Sequence, residues 1–151
     1  MKQTPIVLPL EKMLSWQYGL ERDTIAASQY RLVIYTDSTK CSSCFIRSLA
    51  IWHDFIDLEK DGKVELIFIM EVSKDELEYY GNIMKLSHLN HTVYFDVGNV
   101  FRKCNPHIPE EDLYHVFLLD RSNNVVMVGN PATNAKAKDL FIEILRGDHK
   151  L

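Results

Sequence analysis

The chain has 151 residues, 46% hydrophobic and 25% charged, with a formal charge of −4. That length suits one domain whose core folds without staples, and the balance excludes a disordered or fibrous chain. An acidic net charge without a basic stripe argues against a nucleic-acid partner, and apolar runs such as 66–70 and 116–119 fall far short of the roughly 20 residues of a membrane span.

The first 30 residues carry the weakest pattern: 6–8 reads as a short strand, and 13–25 as either helix or extended chain. The opening MKQTPIVLPLEKML, its apolar stretch broken by Pro5 and Pro9, does not make a signal peptide, so a cytosolic protein and one whose export signal has been removed both fit. Apolar runs rich in β-branched residues at 31–36, 64–72, 92–97, 115–119 and 125–128 predict strands. Phe45, Leu49, Trp52 and Ile56, spaced i, i+4, i+7, i+11, predict a helix from near Cys41 to Asp61-Gly62. Ser73 and Glu76 make a capping box before a second helix whose inward stripe is Leu77, Tyr80 and Met84. Residues 99–114 read as irregular or helical, and the turn Ser122-Asn123-Asn124 joins the last two strands so tightly that they must be antiparallel. Ala137, Phe141, Ile144 and Leu145 give a closing helix that stops near Gly147. The order predicts an α/β domain over 31–151, a central mixed sheet with helices on both faces, preceded by an extension at 1–30.

The stretch TDSTKCSSCF, 36–45, holds two of the three cysteines. Three cysteines do not make a disulfide framework, so the fold is not expected to depend on one. Cys41 follows the strand 31–36 by a short loop and begins the first predicted helix, where unpaired backbone N–H groups and the helix dipole favour a thiolate, as does the charge of adjacent Lys40. Cys44 falls one turn further on the same side. A mixed disulfide formed at Cys41 can therefore be resolved by Cys44. A zinc site needs four ligands, and Cys104 with His107 offers only C-x-x-H, so neither metal nor cofactor is expected. Cys104 reads either as a third redox partner or, more plainly, as a small apolar residue. Asp37 reads either as a proton carrier beside the cysteines or as a loop aspartate capping the helix. Of the 6 histidines only His115 falls near the site, where an edge-strand histidine bonded to backbone is the plainer role.

These features together resemble the thioredoxin superfamily over most of 31–147: a strand, C-x-x-C at a helix start, further βα steps and a closing hairpin with helix. HVFLLDRSNNVVMVGNP, 115–131, is similar to the strand-Asp-turn-strand segment of envelope thioredoxin-like reductases and their peroxiredoxin relatives. CSSC followed by Trp52 and Phe55 resembles small bacterial envelope lipoproteins with a thioredoxin-like fold. The resemblance implies thiol–disulfide exchange with protein thiols or disulfides, a separate redox partner, no bound cofactor, and a periplasmic or envelope location with a lipid anchor in the precursor. Two departures stand out. Where the family places a cis-proline facing the cysteines, this sequence has Tyr114 or His115, and Lys40 replaces the usual tryptophan. Both leave open the alternative of a non-catalytic binding module on the same scaffold.

Overall fold

The computed structural model describes residues 5–16, 29–36, 51–87, 91–108 and 115–147. Six strands, β1 (Leu14–Trp16), β2 (Tyr30–Thr36), β3 (Val64–Glu71), β4 (Val93–Asp96), β5 (Val116–Leu119) and β6 (Val125–Val128), form one sheet in the order β1-β4-β3-β2-β5-β6. β2 and β3 are parallel from Tyr30↔Val64 to Thr36↔Met70, and β4 continues the parallel set beside β3. β1, β5 and β6 pair antiparallel with their neighbours. The sheet is thus mixed, and all five strands expected from the apolar runs are present.

Side chains alternate across the strands, which splits the core into two layers. Leu32 and Ile34 of β2 face one layer, Val33 and Tyr35 the other. The first layer receives Trp52 and Phe55 from the segment of α1 (His53–Ile56), Tyr80, Ile83 and Met84 from α2 (Leu77–Ser87), and Phe141 and Ile144 from α4 (Ala135–Arg146). β2, β3 and β4 step in one direction across the sheet, so right-handed crossovers bring both connecting segments to the same face. Fully burying a side chain such as Phe141 contributes about 1.5–3 kcal/mol. The second layer is closed differently. The short helix α3 (Val100–Cys104) supplies Phe101, and the N-terminal segment supplies Ile6 and Met13, lying over Val33, Ile67, Ile69 and Phe117.

Local chemistry explains the ends of these elements. α1 runs into a 3-10 turn, Asp57–Asp61, that stops at Gly62, whose φ of 73° is left-handed and strains any residue with a Cβ. The expected capping box is formed: the Glu76 carboxylate accepts from the Ser73 N–H at 3.2 Å and from its hydroxyl at 2.9 Å. Asn134 caps α4 by accepting from Ala137 N–H at 3.0 Å, and the helix ends at Gly147. In the β5–β6 turn Asp120 accepts from Ser122 N–H (2.8 Å) and Asn124 N–H (3.0 Å), while Asn123 takes a φ of 63°.

One expectation changes and one is narrowed. Residues 6–8 are not a strand; the strand of this segment is β1. Ile6 N–H donates instead to Asn123 O at 2.8 Å, and Val7 is gripped by Asn105, whose Oδ1 accepts the Val7 N–H and whose Nδ2 donates to the Val7 carbonyl, both at 2.8 Å. The stretch 99–108, which the sequence leaves open between irregular and helical, contains α3. Buried Asp96 starts that helix by accepting from Val100 N–H (2.8 Å) and Phe101 N–H (2.9 Å), the donors that a helix leaves unpaired at its first turn.

A second buried carboxyl group, Glu59, lies in the turn after α1 and meets His91, which precedes β4: Glu59 Oε1 is 2.5 Å from His91 Nε2. His91 Nδ1 donates to Thr92 O at 2.8 Å, and since a carbonyl only accepts, Nδ1 carries a proton. The bond to Glu59 holds one further proton, so the pair has no net charge whichever partner keeps it.

Candidate active site at the C-terminal end of the sheet

In α/β sheets, binding sites form beyond the carboxyl ends of the parallel strands. β2 ends at Thr36, with β3 parallel on one side and β5 antiparallel on the other. The chain leaves this central position toward Asp37, Lys40, Cys41 and Cys44. These four residues and Tyr114 lie outside the described residues.

His115 is described, at the start of β5 beside the end of β2. Its carbonyl accepts the Tyr35 N–H at 2.9 Å, and its buried ring meets the Tyr35 ring edge-on, centroids 5.1 Å apart. The edge-strand position expected of this histidine does not hold, because β6 covers β5, and the bond to Tyr35 is made by the main chain rather than by the imidazole.

Around Tyr35 the structure gathers groups that sequence reasoning did not single out. The Tyr35 hydroxyl donates to Oε2 of Glu71, a buried residue at the end of β3. Phe101 packs on the Tyr35 ring at 4.9 Å, and the Arg102 guanidinium carbon sits 5.9 Å from its centroid, within cation–π range. Burial, then the hydrogen bond to Glu71 and its charge, push the Tyr35 phenol well above the ordinary tyrosine range, against the opposing pull of Arg102. The phenol therefore stays protonated at neutral pH and acts as a donor. One signal in the sequence points to this cluster: a glutamate closes the otherwise apolar run LIFIM at the end of a strand buried on both faces, and a buried acid needs a partner.

Cys104, partly exposed at the end of α3, remains a free thiol. Among the described residues no group of three or more His, Cys, Asp or Glu is arranged to hold a metal.

A parallel β2-β3-β4 core flanked by the β5–β6 hairpin, with helices against it, defines a thioredoxin-like fold. No protein-family model matches the sequence, and no curated protein matches it. Solved structures do. A thioredoxin-like protein in its oxidised form superposes with a TM-score of 0.59 at 12% identity, covering 89% of this chain and 90% of its own. A protein described as the thiol:disulfide interchange protein DsbE of Chlorobium tepidum gives 0.55 at 15% identity, covering 82% of each chain. The exposed lipoprotein thioredoxin Etrx1 of Streptococcus pneumoniae gives 0.55 at 16%, covering 80% of this chain and 86% of its own.

Proposed function

We propose that the protein performs thiol–disulfide exchange through Cys41 and Cys44. The observation that carries this reading is the position of the C-x-x-C pair, five residues beyond the end of the central strand β2 of a thioredoxin-like sheet. The Cys41 thiolate, favoured by Lys40 and by the start of the predicted helix, attacks one sulfur of a protein disulfide. A bond forms between Cys41 and that sulfur, and the other substrate sulfur leaves as a thiolate. The Cys44 thiolate then attacks Cys41 Sγ, expelling the second substrate thiolate and leaving a Cys41–Cys44 disulfide. Two electrons have passed from the pair to the substrate, and a dithiol reductant restores the pair; run backward, the same steps oxidise a substrate dithiol. The likeness to an exposed lipoprotein thioredoxin supports work in the cell envelope, and among the described residues no helix is long and apolar enough to cross a membrane.

Cys41→Ser should abolish reduction of insulin disulfides, and Cys44→Ser should accumulate a mixed disulfide seen as a mass increase under non-reducing conditions. Full activity in both variants would overturn the reading. A second reading, a non-catalytic binding module, is favoured by the residue at the family's proline position: if His115 holds that place, it is already engaged inside the sheet by Tyr35. Alkylation across pH separates the two. A catalytic Cys41 reacts well below the ~8.5 at which an ordinary thiol ionises, and an inert one does not.

A further inference from the structure

We draw no further inference here: the strongest candidate, the buried Tyr35–Glu71 pair with Arg102 at the C-terminal end of the sheet, belongs to the site already described, and nothing among the described residues shows what it would act on.

Discussion

Glu59 and Glu71 are both buried carboxyl groups beside the same central strands, yet their partners differ in kind. Glu59 meets a histidine that is itself anchored to backbone, below the start of β4, with its ring edge-on to Phe68 of the layer that α1, α2 and α4 close. Glu71 meets a neutral phenol at the opposite, C-terminal end of the strands, where the chain departs toward the cysteines and where Arg102 of α3 lies close by. A pair that shares a proton between two ionisable groups is costly to break, because either partner left alone is a buried ionisable group. Breaking the pair with the neutral phenol also takes a donor from a buried carboxyl group, but it removes one hydrogen bond rather than a second group able to carry charge at neutral pH. The first arrangement suits a fastener and the second a site where polarity has to be kept near working groups.

The contrast can be tested in steps. His91→Leu, which takes the imidazole away from buried Glu59, should lower the unfolding free energy by about 3–5 kcal/mol in urea titrations, whereas Glu59→Leu with His91→Leu should cost less than the single change. A double variant as damaged as the single would show that the two residues are not acting as a pair. Tyr35→Phe should cost about 1–3 kcal/mol, since Glu71 loses its phenol donor but keeps its place in the sheet. Asp96→Ala, which removes the acceptor for the first two N–H groups of α3, should cost about 1 kcal/mol, in the range of other helix-capping losses.

The smallest effect is a pH dependence. The folded Tyr35 phenol ionises above the ordinary value, so the unfolded chain loses its proton first on raising pH. The stability that this group contributes is complete below the unfolded value of about 10 and is lost as pH climbs beyond it toward the folded value. Wild type and Tyr35→Phe should therefore differ by a constant amount at neutral pH and converge in alkaline melts. A gap that widens above pH ~10 would reverse the assignment of donor and acceptor in this pair.

Much of the architecture was legible because the strands are long, β-branched runs and the helices carry complete signals: the Ser73–Glu76 box, the Phe141–Ile144 stripe and the stops at Gly62 and Gly147. What escaped depends on register or on distance. Tyr35 finds Glu71 because β2 and β3 align Tyr35 with Ile69, two residues from the acid on the same face, and nothing within either strand announces that alignment. The α3 turn depends on Asp96, four residues ahead of its first residue, too short a helix to leave a period in the sequence. Residues 6–8 have a strand's apolarity but are matched by an asparagine side chain rather than by a ladder. At the site, the structure sets His115 beside the end of β2, while the cysteines it was expected to neighbour lie outside the described residues. The cysteine motif itself rests on its sequence position.

The grip of Asn105 on Val7 joins residues 98 positions apart. A contact of that span closes one of the longest loops in the chain, and its entropic cost has to be met before the bond returns anything. That span predicts that the N-terminal segment docks late in folding, after α3 and the β5–β6 turn have formed the surfaces that receive it. Until then the apolar side chains of Val33, Ile67 and Phe117 lack the cover of Ile6 and Met13. A chain in that interval has one side of its sheet open to other chains, so the segment around Ile6 and Met13 acts as a shield against association as much as a part of the core.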